Sequence, residues 1–286
     1  MLRLPVTPPV TWGPALRALA AHGVPGIEET DVAGGRHTGS VPGEHGAARV
    51  TVTLVDGADH VPCAISPADP ADLPAVTAAV RRWLDLDHDP GPVDAHLATD
   101  PRLAPLVAAR PGLRVVGSTD PWETAATTVL GQQVSVAAAR TFAGRVVAAY
   151  GRRPATGEAA AFPAPSVLAA VDPADLATTV GLTGARARTV HAVATAIADG
   201  LPLGPGADPD AVRARLLALP GIGPWTVEYL ALRALGDRDA CPASDLVLRR
   251  ALGGVSAREV TATAEAWRPW RAYAVTHLWT AAAYAG

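Results

Sequence analysis

The chain has 286 residues, of which 49% are apolar and 18% charged, a composition typical of globular proteins and long enough for two domains. Two cysteines, Cys63 and Cys241, exclude a disulfide framework and a four-cysteine iron–sulfur cluster. The first ten residues hold three prolines and no leader-like apolar segment, and His277 interrupts the last apolar stretch, so we expect a cytoplasmic protein without a membrane span.

The charge argues against a protein that coats nucleic acid, because the net charge is −3 and the pI is about 6.2. Residues 1–112 carry 8 arginines and 13 acidic residues, a net charge of −5, whereas residues 113–286 carry 16 and 14, a net charge of +2. Any contact with DNA must therefore be local and limited to a few phosphates. All 24 basic residues are arginine, and the chain contains no lysine.

The first 90 residues are predicted to form a small antiparallel sheet with helices. An extended arm over 1–10 precedes a helix over 12–22, and residues 30–66 then alternate as strands do. Asp56-Gly57 is a turn pair between two strand runs, and a second helix is predicted over 73–86. Pro90-Gly91-Pro92 marks the exit from this domain.

Residues 91–286 show no strand signal, and apolar residues recur there at helical spacing. A turn at Gly131-Gln132-Gln133-Val134-Ser135 divides the longest stretch, in which Gly131 ends one helix and Ser135 begins the next. The predicted helical stretches are 122–150 with that interruption, 167–171, 186–198, 210–219, 226–235, 244–252, 260–267 and 271–284. The fold class is therefore α+β, with a sheet domain over 1–90 and a helical domain over 91–286.

The most informative motif is Leu219-Pro220-Gly221-Ile222-Gly223-Pro224-Trp225-Thr226. Gly221 and Gly223 bracket an apolar residue, as in a tight turn whose backbone a ligand can approach closely. Residues 226–233 have helix-forming composition, so the turn delivers a helix N-terminus whose N–H groups can bind a phosphate. An ordinary glycine loop between two helices is the alternative interpretation.

This motif, with Pro242 and Asp245 about twenty residues on, resembles the helix-hairpin-helix base-excision DNA glycosylases. The resemblance is strongest to their alkylpurine branch, the DNA-3-methyladenine glycosylase II family, and it covers nearly the whole chain. It implies a sheet domain related to the TATA-binding-protein fold. It also implies two helical subdomains, about 121–236 and 91–120 with 237–286, with the active cleft between them.

Asp245 is the candidate catalytic residue. It is the only carboxylate between Asp239 and Glu259. From its position alone, it or Ser244 could simply cap the following helix. The resemblance implies that Asp245 is catalytic, and Ser244 leaves no competing acid beside it. One carboxylate is enough for an alkylated purine, which carries a positive charge and leaves neutral, so that an anion near C1′ only has to stabilise the sugar cation.

The resemblance also implies the surroundings of Asp245. Trp225, Tyr229, Trp279 and Gln132 match residues of the base pocket, where electron-rich rings can stack on a cationic purine flipped out of the duplex. Residues matching the DNA contacts are Gly221, Gly223, Thr226 and Gln133, the last as the wedge in the gap left by the flipped nucleotide. Trp267 and Trp270 are better explained as core residues. Leu246 and Ala18 replace aromatic rings of relatives, which predicts a wider pocket.

We therefore predict a monofunctional glycosylase that removes alkylated purines from duplex DNA. Bifunctional relatives use a lysine amine after the hairpin to attack the sugar, whereas this chain has Trp225 there and no lysine elsewhere. No cofactor and no metal are expected, since His60 and Cys63 form only one metal-like pair. The expected partner is damaged duplex DNA, bound by a monomer. A non-catalytic helix-hairpin-helix DNA-binding protein and a glycosylase for deaminated or oxidised bases are the alternatives.

Overall fold

The N-terminal part of the protein is a five-stranded antiparallel sheet with the strand order β1-β5-β4-β3-β2. The computed structural model describes residues 1–152 and 159–283. The strands are β1 (Leu2–Pro5), β2 (Glu29–Asp31), β3 (Arg36–Pro42), β4 (Ala47–Thr53) and β5 (His60–Ser66), accompanied by helices α1 (Gly13–His22) and α2 (Leu73–Trp83). The predicted sheet with two helices is confirmed.

The N-terminal arm differs from its prediction, because part of it belongs to the sheet. Leu2 lies opposite Cys63 and Pro5 opposite His60, so β1 extends the sheet beyond β5. A proline is compatible with this position, since an edge strand need not donate every backbone N–H group. Because three of the first ten residues are prolines, the sequence does not predict this short strand.

The turn between β4 and β5 fixes the start of α1. The Asp56 carboxylate accepts hydrogen bonds from the backbone N–H groups of Gly13, the first residue of that helix, and of Trp12, which precedes it. Gly57 has a φ of 75°, the left-handed conformation that a turn of this kind requires. The sheet thereby positions α1, whose inner face borders the functional site described below.

The rest of the described chain is helical. Its helices are α3 (Pro90–Leu97), α4 (Ala104–Ala109), α5 (Pro121–Leu130), α6 (Val136–Tyr150), α7 (Pro165–Ala169), α8 (Pro173–Val180), α9 (Gly184–Ala198), α10 (Pro209–Leu217), α11 (Pro224–Leu230), α12 (Leu246–Ala251), α13 (Ala257–Ala264) and α14 (Arg271–Ala283). The predicted interruption at 131–135 separates α5 from α6, and Ser135 caps α6 through Ala138 N–H. Tyr284, the predicted end of the last helix, lies outside the described residues.

Three helices depart from the sequence prediction. Pro90, predicted to lie in the segment that ends the N-terminal domain, is the first residue of α3. A proline fits the first turn of a helix, and the Asp89 carboxylate caps this one by accepting a hydrogen bond from Gly91 N–H. Helices α4 and α8 were not predicted, since they are short, with six and eight residues.

The helices form two apolar cores that meet along α11. One core contains Trp122, Val190 and Leu230 and includes α5, α6 and α9. The other contains Leu97, Leu248 and Trp267 from α3, α12 and the turn before α14, in agreement with the expected core role of Trp267. Tyr229 packs against both cores. The division into subdomains and the domain boundary at residue 90 stay predictions.

The segment after the hairpin is not one regular helix. Instead of a helix over 226–235, α11 ends at Leu230 and continues as a π-helical turn over Ala231–Leu235, which Gly236 closes with a φ of 70°. Such turns are rare and occur frequently at functional sites. Here the turn contains Arg233, whose side chain enters the cleft.

Buried His277 on α14 predicts a loss of stability in acid. Burial and the nearby Arg110 lower its pKa to about 4 from the usual 6.5, so the unfolded chain takes up this proton first. The free energy of unfolding should therefore fall as the pH drops from 6.5 towards 4, by roughly 1.4 kcal/mol for each unit between the two pKa values. Urea unfolding of His277→Leu at pH 7 and pH 4.5 should show a smaller decrease than the wild type. An identical decrease would contradict this role of His277.

Candidate active site and nucleic-acid interface

Asp245 caps α12 and at the same time faces the cleft. Its Oδ1 accepts a hydrogen bond from the backbone N–H of Leu248 at 2.8 Å, which is the cap. Oδ1 also accepts one from Trp279 Nε1 at 3.0 Å, and Oδ2 accepts one from Trp225 Nε1 at 2.8 Å. The two interpretations that the sequence left open, a cap and a residue facing the cleft, are thus compatible. Two indoles and one amide hold the carboxylate in a single orientation.

These contacts leave one part of the carboxylate accessible. Each carboxylate oxygen can accept about two hydrogen bonds. Oδ1 already accepts two, from Leu248 and Trp279, whereas Oδ2 accepts one, from Trp225. The unused capacity of Oδ2 can therefore hold a water molecule or lie beside a positive charge.

The three predicted pocket aromatics surround this carboxylate. Trp225 and Tyr229 stack, with ring centroids 5.1 Å apart and planes inclined by 19°. Trp279 lies 6.0 Å from Tyr229 at 49°. Together with Asp245 they line a cavity of about 190 Å³, which we call the base cavity. The structure thus brings together four of the residues selected from the sequence: Asp245, Trp225, Tyr229 and Trp279.

Arg233 is a cavity residue that the sequence analysis missed. Its guanidinium lies 5.8 Å from the Tyr229 ring centroid and 5.5 Å from that of Trp279, and Nη1 donates a hydrogen bond to Val116 O. It follows Tyr229 by four residues, so its place on the same helix face could have been inferred. The base cavity therefore contains a fixed cation as well as the Asp245 carboxylate.

Gln132 lies at the hairpin and does not line the base cavity. Its Nε2 donates hydrogen bonds to Gly221 O and Thr226 Oγ1, both at 3.2 Å. Arg186 in turn donates to Gln132 O at 2.6 Å. This placement differs from the expected contact with a base. The hydrogen bonds of Gln132 instead connect the turn at 131–135 to the hairpin.

Gln133, at the tip of the same turn, is exposed. It is one of two non-glycine residues with positive φ among the described residues, at 55°. Such a conformation is uncommon for a residue with a side chain and is found at functional turns. The exposure and the backbone strain agree with the expected wedge, a role that stays a prediction.

The two hairpin glycines differ in conformation. Gly221 has a φ of 79°, and a Cβ atom there would lie 2.1 Å from Thr189 Oγ1. Gly223 has an extended backbone with a φ of −106°, and a Cβ atom there would meet nothing within 4 Å. Only Gly221 therefore adopts a backbone conformation that disfavours a side chain, while the surroundings of Gly223 are open. Gly221 is required by the fold, and Gly223 leaves the surface of the hairpin bare.

Thr226 is buried, with an exposed fraction of 3%, and its hydroxyl already accepts the hydrogen bond from Gln132. Its side chain is therefore not available to DNA, contrary to expectation. The start of α11 nevertheless carries no side-chain cap. Backbone N–H groups of this first turn remain the donors that a phosphate could use.

Among residues 1–152 and 159–283, no group of three or more His, Cys, Asp or Glu side chains is arranged to hold a metal ion. Nor does that part of the chain contain a helix long and apolar enough to cross a membrane.

Comparison with known proteins identifies the family. Residues 1–120 match the family described as AlkA N-terminal domain, and residues 126–270 match the HhH-GPD superfamily of base excision DNA repair proteins. DNA-3-methyladenine glycosylase 2 of Escherichia coli is 33% identical over 95% of this chain and 94% of that protein. A probable bifunctional transcriptional activator/DNA repair enzyme AlkA of Mycobacterium tuberculosis is 45% identical over 98% of this chain but only 56% of that protein.

The present chain thus spans about half the length of the M. tuberculosis relative. Its fold resembles that of a 3-methyladenine DNA glycosylase from Archaeoglobus fulgidus, with a TM-score of 0.83 and 19% identity, over 100% of this chain and 99% of the other. The antiparallel sheet followed by a helical core agrees with the fold class predicted from the sequence. The chain belongs to the HhH-GPD superfamily of base excision DNA repair proteins, in the branch that carries an AlkA-type N-terminal domain.

Proposed function

We propose that this protein is a monofunctional DNA glycosylase that excises alkylated purines of the 3-methyladenine and 7-methylguanine type from duplex DNA. The observation that carries the proposal is the Asp245 carboxylate, which two indole N–H groups orient at the edge of an aromatic cavity. The names of the relatives and the cavity both favour this function over a DNA-binding protein without catalysis. Its action in the cytoplasm, as a monomer, is part of the proposal.

Asp245 supplies the only catalytic charge that this reaction needs. The damaged nucleotide rotates out of the stack and its base enters the base cavity. As the bond from C1′ to the base lengthens, positive charge moves from the purine to the sugar, and the base departs neutral. The accessible side of Asp245 Oδ2 stabilises that charge and orients a water molecule, whose oxygen then bonds to C1′ and whose proton is lost to solvent.

The aromatic rings and Arg233 contact the damaged base in different ways, the rings by stacking and Arg233 by hydrogen bonding. A cationic purine gains about 0.5–2 kcal/mol from each ring face on which it stacks, more than a neutral base does. Arg233 lies over the Tyr229 and Trp279 rings, and the Arg233 donors not used by Val116 can reach an acceptor such as a purine carbonyl. Trp225 carries no such cation and is the ring most available to a flipped base.

The hairpin holds the DNA through its backbone. The bare surface at Gly223 and the N–H groups of the first turn of α11 bind a phosphate beside the flipped nucleotide. Gln133, exposed at the tip of its turn, fills the space that the nucleotide leaves.

Release of free base from methylated DNA, with the products separated by chromatography, tests the proposed function. We expect 3-methyladenine and 7-methylguanine to appear, while hypoxanthine or 8-oxoguanine is released from a duplex far more slowly. Binding without release would support the non-catalytic alternative. A faster release of the deaminated or oxidised base would support the other glycosylase class.

The absence of lysine predicts that this enzyme does not cut the DNA strand. No side-chain amine can form a Schiff base with the sugar, and an arginine stays protonated and cannot replace it. Borohydride should therefore trap no covalent complex with damaged DNA, and strand breaks should appear only after alkali or heat. A lysine-dependent bifunctional glycosylase serves as the positive control. A trapped adduct with the present protein would reveal another amine, such as the N-terminus.

A further inference from the structure

A second, larger cavity adjoins the base cavity. It has a volume of about 330 Å³ and lies between α1, α5, α6 and the segment 116–119; we call it the inner chamber. Seven residues line both spaces: Ala15, Ala18, His22, Val116, Trp225, Tyr229 and Arg233. The base cavity alone is smaller than the roughly 300–1,000 Å³ of typical ligand pockets, whereas the inner chamber falls within that range.

Two of the residues that line both spaces, Ala15 and Ala18, have small side chains. Ala15 and Ala18 stand three residues apart on one face of α1, which the Asp56 cap fixes against the sheet, and they project only methyl groups into the junction. An aromatic ring at position 18 would fill the junction and separate the inner chamber from the base cavity.

Glu123 is a carboxyl group in the inner chamber for which the described residues supply no hydrogen-bond or ion-pair partner. By contrast, the hydroxyl groups of Thr127 and Thr128 donate hydrogen bonds to backbone carbonyls. The Glu28 carboxyl group accepts a hydrogen bond from Val24 N–H. Burial, with Glu28 and Asp120 nearby, raises the pKa of Glu123 well above its usual value. A carboxyl group accepts a hydrogen bond from a hydroxyl group in either protonation state, and it can also donate one when it is protonated.

We propose that the inner chamber is a subsite for the substituent on the damaged purine, open because residue 18 is alanine, and that Glu123 binds an uncharged polar end of that substituent. The substrates it admits are purines that carry a hydroxyalkyl chain longer than methyl. This inference rests on the proposed glycosylase function and extends it. Ala18 determines the size of the accepted lesion, and Glu123 determines the preference for a hydroxyl group.

Three duplexes test the subsite, each with one 7-substituted guanine: methyl, propyl or 3-hydroxypropyl. Single-turnover excision is measured for the wild type, Ala18→Phe, Glu123→Ala and Glu123→Gln. We expect Ala18→Phe to slow excision of both longer substituents at least tenfold more than it slows excision of 7-methylguanine, which shares the base cavity that Ala18 lines. Glu123→Ala should slow only the hydroxypropyl substrate, and Glu123→Gln, which keeps a donor and an acceptor, should restore it.

The outcomes separate the subsite from the proposed function. If the wild type releases no 7-methylguanine, the glycosylase function is wrong. If it releases all three bases and Ala18→Phe slows them equally, the inner chamber does not hold the substituent. If Glu123→Ala slows propyl and hydroxypropyl alike, Glu123 does not bind the hydroxyl group. Ala18→Leu, a smaller change, replaces Ala18→Phe should the thermal melting temperature of the latter fall by more than a few degrees.

Discussion

Asp245→Asn should lower the single-turnover excision of 7-methylguanine at least 100-fold. Removal of one electrostatic contact to the charge that develops in a transition state typically costs a factor of about 10²–10³. Asparagine is nearly isosteric and caps helices as well as aspartate, so the hydrogen bond to Leu248 N–H and the fold should survive. The measurement is the rate of base release with enzyme in excess over a duplex that carries one lesion.

The variant also needs a control for binding. Its affinity for abasic-site DNA should stay within a few-fold of the wild type, because the hairpin is unchanged. A variant that keeps substantial excision activity would contradict the catalytic assignment of Asp245, and one that loses excision and abasic-site binding together would point to a disturbed cleft.

The substitution of alanine should destabilise the protein at Gly221 but not at Gly223. Gly221→Ala places a Cβ atom 2.1 Å from Thr189 Oγ1 at a positive φ, so we expect destabilisation by more than ~1 kcal/mol. Gly223→Ala meets no atom within 4 Å and should leave the free energy of unfolding nearly unchanged. Urea unfolding of both variants measures this difference, and equal losses would contradict the geometry of the hairpin.

A larger side chain at Gly223 should act on DNA binding instead of folding. Gly223→Val occupies the open surface where we place a phosphate, so it should weaken binding to damaged and undamaged duplexes alike. Trp279→Ala is the matched variant inside the cavity, and it should slow excision with little change in the affinity for undamaged duplex. If the valine variant changes only lesion preference while the tryptophan variant loses general affinity, the two roles are reversed.

The sequence predicts most of the fold because its signals are local. The β-branched run before Asp56-Gly57, the glycine hairpin and the break at residue 131 each depend on neighbouring residues and appear where expected. β1 and α4 escaped prediction because both are short and rich in proline or alanine, and because β1 depends on pairing with a strand about 60 residues away.

The sequence predicts several residues of the site but not the contacts between them. Asp245, Trp225 and Trp279 come together as expected. The hydrogen bond from Trp279 to the carboxylate depends on the packing of α14 against α12, and the one from Trp225 joins α11 to the start of α12. Gln132 and Thr226 bond to each other rather than facing a ligand, which no spacing in the sequence indicates. The inner chamber is equally non-local, since α1, α5 and α6 all border it.

The central claim is that Asp245 stabilises positive charge at C1′, and the most direct test is the affinity for a charged mimic of the sugar. Two duplexes differ only at one abasic position, which holds either a cationic pyrrolidine or a neutral tetrahydrofuran ring. Transition-state mimics bind more tightly than the ground state where the enzyme stabilises the charge. We predict that the wild type binds the cationic ring at least tenfold more tightly and that Asp245→Asn loses this preference. If the wild type and Asp245→Asn prefer the cationic ring to the same extent, the claim is contradicted.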